Sequence, residues 1–234
     1  MASVRGQMAA APVEAASLHR AIFIGIAVFL AVAPFLLYPV FLMKVLCFAL
    51  FACAFNLLLG YGGLLSFGHA AYLGTASYIC AHTAKVWGVP PEVAILLGTA
   101  SAAVLGLVFG SLAIRRQGIY FAMITLALAQ MVFFFSLQAP FTGGEDGIQA
   151  VPRGRLFGLV DLSSDTTLYY VVATIFLAGV LFIYRIIHSP FGQVLKAIRD
   201  NEPRAISLGY ATNRYKLVVF TLSATLAGLA GATK

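Results

Sequence analysis

Long apolar runs, separated by short polar segments, dominate the chain from residue 21 onward. An α-helix rises about 1.5 Å per residue, so a helix needs about 20 apolar residues to cross the hydrocarbon layer of a bilayer. Seven runs approach that length, and they are residues 21–38, 41–60, 63–84, 93–114, 119–137, 168–187 and 217–233. The pattern therefore predicts an all-α fold, a polytopic membrane bundle of about seven transmembrane helices.

The third run has the weakest helical pattern, because glycine recurs through its first half. Gly60 and Gly62 stand just before the run, and Gly63, Gly68 and Gly74 lie within it. Glycine destabilises a helix interior, so we expect a broken or re-entrant start to this span. Irregular backbone at membrane depth is tolerated where protein rather than lipid surrounds it. Whether residues 61–84 cross the membrane or re-enter it stays open.

Composition agrees with a membrane protein and excludes two other classes. Of 234 residues, 61% are hydrophobic and 10% are charged. A soluble globular enzyme or a disordered chain carries far more polar surface than this. Cys47, Cys53 and Cys80 lie in apolar runs and form no CxxC pair, so we interpret them as packing residues rather than as disulfide or metal ligands.

The first apolar run shares some features with a cleavable signal peptide. Arg5, His19 and Arg20 precede it, and the small residues Ala31 and Ala33 resemble a cleavage site. The apolar run continues past Ala33, and a second run follows almost at once. We therefore interpret the first run as a true membrane span.

The net charge of +7 becomes informative once the loop cations are assigned to the two sides of the membrane. With a cytoplasmic N-terminus and seven alternating spans, ten loop cations are cytoplasmic and four are external. Cytoplasmic loops carry the excess of Lys and Arg, so this orientation is favoured. Residues 1–20 then form a cytoplasmic tail, and residues 21–234 form a single transmembrane domain.

Residues 188–215, which we call the elbow, form a long, basic loop on the predicted cytoplasmic side. Phe191, Val194, Leu195 and Ile198 follow a helical period and predict one apolar stripe. Helix signals surround that stripe: Pro190 suits a helix start, Pro203 suits the first turn of a second helix capped by Asn201 or Glu202, and Gly209 suits its end. The pattern predicts two short helices, and it leaves open whether they dock onto a protein partner or lie on anionic lipid.

The external loop, residues 138–166, contains the sequence Thr142-Gly143-Gly144-Glu145-Asp146-Gly147. Three glycines and two acids allow a tight turn, a cation site or a contact for a partner. Because no ladder of carboxylates accompanies them, we favour a flexible turn and predict no metal site.

Other motifs in the apolar runs concern packing and energy supply. Gly106 with Gly110, and Ala224 with Gly228, have the small-xxx-small spacing that lets membrane helices approach closely. The sequence contains no phosphate-binding GxxxxGK[ST] loop and no mid-span carboxylate of the kind that proton- or sodium-driven carriers use. These observations indicate that the energy for a transport reaction would come from outside this chain.

Four blocks of this sequence are similar to branched-chain amino-acid ABC transporter permeases of the LivM type. The first block begins at Asn56-Leu57-Leu58-Leu59-Gly60-Tyr61-Gly62-Gly63 and continues to Ala71, and the second runs from Arg116 to Gln130. The third is Thr142-Gly143-Gly144 through Asp146-Gly147, and the fourth runs from Ser189-Pro190-Phe191-Gly192 to Tyr210. The blocks stand in family order and cover about residues 41–233.

The resemblance implies a permease, not an enzyme, in a bacterial inner membrane. Its partners would be a second permease subunit, two cytoplasmic ATPase subunits that hold ATP and Mg²⁺, and an extracytoplasmic binding protein for leucine, isoleucine or valine. No cofactor is expected on this chain and no nucleic acid as partner. Related permeases carry urea, short amides or other amino acids, and these remain alternatives. Family members continue through further spans, so we also expect a C-terminal truncation, which leaves a non-transporting membrane protein as another alternative.

The resemblance also assigns roles to particular residues. The elbow would couple to the ATPase through six residues, which are Phe191, Gly192, Arg199, Glu202, Ala205 and Gly209. Because a branched-chain amino acid pairs an aliphatic side chain with a zwitterion, we expect a largely apolar pathway with four polar side chains, which are Asn56, Ser66, His69 and Gln130; the alternative is that each of them only forms hydrogen bonds between helices. Gly143, Gly144 and Asp146 would face the binding protein.

Overall fold

The computed structural model describes residues 21–149, 151–152, 154–156, 160–162 and 164–234. The predicted N-terminal tail, residues 1–20, lies outside the described residues. The described helices are α1 (Ala21–Leu36), α2 (Pro39–Asn56), α3 (His69–Val86), α4 (Pro91–Ala113), α5 (Ile119–Gln138), α6 (Asp165–Ile187), α7 (Pro190–Asp200), α8 (Glu202–Ser207) and α9 (Thr212–Ala232). Two residues each form the antiparallel strands β1 (Arg155–Leu156) and β2 (Val160–Asp161).

Five of the described helices are long and apolar enough to cross a membrane, and they are α2 with the turn that follows it, α4, α5, α6 and α9. These five helices confirm five of the seven predicted spans and the polytopic helical fold. The first and third runs differ from the prediction. Helix α1 has 16 described residues, from Ala21 to Leu36, and α3 has 18 residues that begin later than expected.

The glycine-rich start of the third run is not helical. Helix α2 continues into a π-helical turn, Leu57–Tyr61, and α3 begins only at His69. Between them lie residues 62–68, which we call the break. Gly63 has a φ of +66°, a conformation that side chains disfavour. The expected interruption is therefore confirmed, whereas the predicted helical boundary at residue 63 is wrong.

Two hydrophobic clusters organise the bundle, and α2 contributes to both. The larger cluster draws mainly on α2, α3, α4 and α9, takes single residues from α5, α6 and α7, and includes the fully buried Tyr72 and Phe220. The smaller cluster joins α1, α2 and α6, where the Tyr169 hydroxyl donates to the Leu30 carbonyl at 2.8 Å. Helix α9 is the most enclosed of the membrane-length helices, because α2, α3 and α4 all pack on it.

The two small-residue motifs meet each other at the contact between α4 and α9. A Cβ placed on Gly106 would lie 2.4 Å from the Cβ of Ala224, and one on Gly228 would lie 2.2 Å from that of Ala102. Two carbon atoms that are not bonded cannot approach so closely, so Gly106 and Gly228 have room for a hydrogen atom but not for a methyl group. The prediction that the motifs bring helix backbones together is confirmed, and α4 and α9 are identified as partners.

The three cysteines are free, as their spacing predicts. Cys47 Sγ lies 3.6 Å from Thr233 Oγ1, and Cys80 Sγ donates to the Ala232 carbonyl at 3.3 Å. Both therefore join neighbouring helices to the C-terminal end of α9.

Candidate coupling and transport site

The elbow folds as its sequence predicts. Ser189 caps α7 by accepting a hydrogen bond from the Gly192 amide at 3.4 Å, and Pro190 is the first helical residue. Asn201 caps α8 through Oδ1, which accepts from the Arg204 amide at 3.0 Å. Gly209 follows α8 with a φ of +87° and allows the chain to turn toward α9. Local chemistry therefore sets the starts of α7 and α8 and the end of α8.

The apolar stripe of α7 faces the chain's own helical bundle. Leu195 and Ile198 are buried, and Leu195 belongs to the larger hydrophobic cluster. Phe191 stacks on Tyr215 at the start of α9, with 5.6 Å between ring centroids. The stripe therefore fixes the elbow to the bundle and is not the surface offered to lipid or to another protein.

The exposed apolar surface of the elbow lies instead at the end of α8. Ile206, Leu208 and Tyr210 are 56%, 69% and 41% exposed. We call these three residues the elbow tip. Large apolar groups exposed together on a projecting turn are typical of a docking surface.

The predicted coupling residues lie mostly on the inner side of the elbow. Gly192 and Ala205 are buried, and a Cβ on Gly192 would lie 2.3 Å from the Ile187 carbonyl oxygen. Glu202 and Arg199 both contact other parts of this chain. Gly209 remains at the surface. Most of the six residues therefore position the elbow rather than present themselves to a partner.

Glu202 joins three segments through its carboxylate. Oε1 accepts from Lys216 Nζ on α9 at 2.6 Å, and Oε2 accepts from Gln117 Nε2 in the α4–α5 loop at 2.9 Å. The side chains of Lys216 and Glu202 are 7% and 17% exposed. A pair this enclosed must stay paired, because an unpaired charge there would be costly. Sequence reasoning did not single out Lys216 or Gln117 as site residues.

Arg199 extends from α7 onto the π-helical turn and the break. Its Nη1 donates to the Gly60 carbonyl, while Nε and Nη2 donate to Asp200 Oδ1 at 3.1 and 3.0 Å. A Cβ on Gly63 would lie 2.7 Å from Arg199 Cγ, so the arginine stem lies directly against that glycine. The elbow therefore contacts the break through both a hydrogen bond and packing.

A buried polar contact lies just beyond the break, at the start of α3. His69 is 2% exposed, and its Nε2 lies 2.8 Å from Ser223 Oγ on α9. The Ser223 hydroxyl donates to the Ala54 carbonyl on α2, so its oxygen is left to accept from Nε2. The rings of Phe55 and Tyr72 lie nearly perpendicular to the imidazole, with centroids 5.3 and 5.6 Å away. His69 thus links three helices inside an aromatic enclosure.

Ser66 and Thr125 hold the other end of the break. Ser66 is 1% exposed, and its Oγ accepts from the Gly68 amide at 3.3 Å. Thr125 Oγ1 on α5 accepts from the Phe67 amide at 3.2 Å. The backbone amides freed by the irregular conformation therefore receive side-chain partners from the break itself and from α5.

The four predicted pathway residues do not converge. Ser66 and His69 are buried near each other at the start of α3, whereas Asn56 and Gln130 are exposed on α2 and α5. None of the four lines the groove of about 720 Å³ between α4 and α6, whose walls include Ile95, Tyr170 and Thr174. The structure thus groups only two of the predicted residues, and it adds Ser223 and Thr125 to them.

The residues predicted to face a binding protein lie at the opposite end of the bundle from the elbow. Gly143 separates two short 3₁₀ turns, Pro140–Thr142 and Gly144–Asp146. Buried Thr142 donates to the carbonyl of Ser136 at 2.6 Å, and Lys85 at the end of α3 donates to the carbonyl of Gln149 at 2.7 Å. The described part of the loop is therefore tightly turned and tied to α3 and α5. Within the described residues, no three His, Cys, Asp or Glu side chains are grouped as metal ligands.

Comparison with known proteins identifies one family and two relatives. Residues 37–233 match a family model described as "Branched-chain amino acid transport system / permease component". The chain is 32% identical over 153 residues to the high-affinity branched-chain amino acid transport system permease protein LivM of Escherichia coli (strain K12), a match covering 56% of this chain and 36% of that relative.

The corresponding LivM protein of Salmonella typhimurium (strain LT2) is 33% identical over 159 residues, which cover 58% of this chain and 37% of the relative. The chain therefore matches little more than a third of the length of these curated relatives. No solved structure is significantly similar to it.

Proposed function

The chain belongs to the family of branched-chain amino acid transport system permease components, and on this basis we propose that it is the membrane-spanning permease subunit of an ATP-driven importer for leucine, isoleucine and valine. The observation that carries the proposal is the family match across residues 37–233, which includes all five helices of membrane-crossing length. In this proposal the chain is not an enzyme, and ATP and Mg²⁺ bind to separate subunits.

The proposed assembly contains a second permease subunit, two cytoplasmic ATPase subunits and an extracytoplasmic binding protein in a bacterial inner membrane. The elbow end of the bundle is cytoplasmic, in agreement with the distribution of loop cations. The exposed elbow tip then meets the ATPase, and the turns that hold Gly143, Gly144 and Asp146 meet the binding protein. The two contacts lie at opposite ends of the bundle, so the ATPase and the binding protein act from opposite sides of the membrane.

Packing of the elbow supports a mechanical role for it. Leu195 and Ile198 are buried against the bundle. A displacement of the elbow tip by the ATPase is therefore transmitted to the membrane helices instead of being absorbed by bending between the elbow and the bundle. Substrate moves along a largely apolar route. The polar contacts of Ser66 and His69 at the break are the place where that route would change shape.

Uptake of labelled leucine into vesicles tests this function. Vesicles that contain the assembled transporter, its binding protein and internal ATP are expected to accumulate leucine, and excess isoleucine or valine should compete. Uptake of urea or acetamide in place of leucine would overturn the substrate assignment. ATP-dependent uptake of none of these compounds would overturn the importer assignment and favour a non-transporting membrane protein.

Capture of the ATPase tests the elbow tip. Leu208→Asp places a charge in the middle of an apolar contact, and we expect co-purification of the ATPase to fall about tenfold. Val86→Asp is the matched control, because Val86 is 63% exposed but lies at the far end of α3. Equal capture by both variants would contradict the role of the elbow tip.

A further inference from the structure

The elbow and the break are held together by contacts that connect residues far apart in sequence. Arg199 donates to the Gly60 carbonyl, and its stem covers Gly63, where only a hydrogen fits. Lys196, one helical turn earlier, places its ammonium 5.3 Å from the centre of the Tyr61 ring. These contacts join one face of α7 to the π-helical turn and to the first residues of the break.

The break is a non-helical segment that is held at both of its ends. Residues 62–68 lie between two helices and make few regular helical hydrogen bonds of their own. At its far end the amides of Phe67 and Gly68 donate to the hydroxyls of Thr125 and Ser66, and the buried His69 follows directly. Leu64 within the break is 7% exposed and belongs to the larger hydrophobic cluster, so the segment is packed against the bundle. A force applied at Gly60–Gly63 therefore reaches the buried polar contacts of α3 through this segment.

We propose that Arg199 is a positioning residue that makes the elbow and the break move as one body, so that displacement of the elbow reshapes the break during transport. This inference rests on the proposed importer function. The role assigned here differs from direct contact with the ATPase, because the guanidinium is directed at the chain's own backbone. Arg199 transmits the movement and does not touch the substrate.

The geometry favours arginine over lysine in this role. Three guanidinium nitrogens are used at once, one toward Gly60 and two toward Asp200 Oδ1. Asp200 thus fixes the plane of the guanidinium while Nη1 holds the carbonyl. A lysine ammonium is a point charge and cannot maintain both directions from one rigid group. Arg199→Lys should therefore preserve the charge and only part of the attachment.

Cross-linking in membranes tests the attachment without any partner subunit. Tyr61→Cys and Lys196→Cys are introduced together after Cys47, Cys53 and Cys80 are replaced by Ala, and a short thiol-specific cross-linker is added. These changes also remove the lysine–tyrosine contact, so Arg199 remains as the main polar attachment between the two segments. Adding Arg199→Ala should slow cross-linking about five- to tenfold, the effect of losing one ordinary hydrogen bond, because the arginine side chain is 42% exposed and its charge is screened by water. Arg185→Ala, an exposed arginine at the end of α6, is the matched control and should leave the rate unchanged. Equal rates in the Arg199→Ala and Arg185→Ala proteins would overturn the proposed attachment.

Transport coupling in the assembled importer tests the consequence of the attachment. Arg199→Ala is expected to lower leucine uptake per ATP hydrolysed about tenfold while ATP hydrolysis persists, and Arg199→Lys should be intermediate. Gly63→Ala should resemble Arg199→Ala, because the new methyl group displaces the arginine stem. A parallel loss of uptake and hydrolysis would indicate a purely structural role and overturn the proposal, as would unchanged coupling. If the wild-type assembly itself transports nothing, the importer function fails, and the cross-linking result still decides the attachment.

Discussion

Replacement of Glu202 by glutamine is expected to release α8 from the bundle. The substitution leaves the Lys216 ammonium, which is only 7% exposed, facing a neutral amide. Breaking one partner of an enclosed ion pair costs about 3 kcal/mol, since the remaining charge loses its compensation. We expect the amides of α8 and of the elbow tip to exchange with deuterium much faster, in a purified sample that needs no partner subunit.

Three further variants separate the ion pair from other effects. Lys216→Met alone should be similarly damaging, whereas Glu202→Gln with Lys216→Met should recover much of the protection because no buried charge remains. Asp146→Asn is the matched carboxylate control, because Asp146 is exposed and lies at the opposite end of the bundle from the elbow. An exchange rate in Glu202→Gln no faster than in Asp146→Asn would show that the pair does not hold the elbow.

The elbow shows how much structure can be predicted when the determining chemistry is local. Ser189, Pro190, Asn201 and Gly209 all act within three residues of a helix end, so the sequence contains both the signal and its partner. The 3.6-residue period likewise predicts that Leu195 and Ile198 share a buried face. Helix existence, caps and the identity of the apolar face were all predictable for this reason.

The surface against which that face packs could not be predicted in the same way. A periodic stripe is equally suited to lipid, to a partner or to the chain's own bundle, and only the tertiary fold distinguishes them. Arg199 and Gly60 are 139 positions apart, and no local rule connects an arginine in an elbow with a carbonyl in a distant π-helical turn. The resemblance assigned Glu202 to the coupling residues, and its carboxylate accepts from Lys216, which lies 14 positions away on α9.

The pathway candidates show a similar limit. Asn56, Ser66, His69 and Gln130 were selected as polar groups on a largely apolar route for an aliphatic zwitterion, and the structure buries only Ser66 and His69. The sequence pattern does not identify which partner a given polar residue uses. Ser223, the partner of His69, lies 154 positions away on a helix that carries several other hydroxyl residues.

Addition of a single methyl group at Gly228 is expected to separate α4 from α9. A Cβ there would lie 2.2 Å from that of Ala102, and neither atom belongs to a flexible side chain that could move aside. In lipid, close packing is a main source of helix association, because burial of apolar surface gives little gain. We expect Gly228→Ala to lower the free energy of unfolding by about 3 kcal/mol, measured by denaturant titration in detergent micelles.

Alanine favours helix formation by about 1 kcal/mol over glycine, so the expected loss at Gly228 runs against the intrinsic propensity. Gly74→Ala supplies the matched control, because no atom lies within 4 Å of a Cβ at that position and the variant should be neutral or stabilising. Exchanging the methyl group between helices, in Gly228→Ala with Ala102→Gly, restores the number of atoms at the contact and should recover most of the stability. Recovery in the exchange variant would show that the spacing between the two helices, and not glycine at one position, is what the α4–α9 contact requires. Equal stability of Gly228→Ala and Gly74→Ala would instead mean that the helices separate without cost.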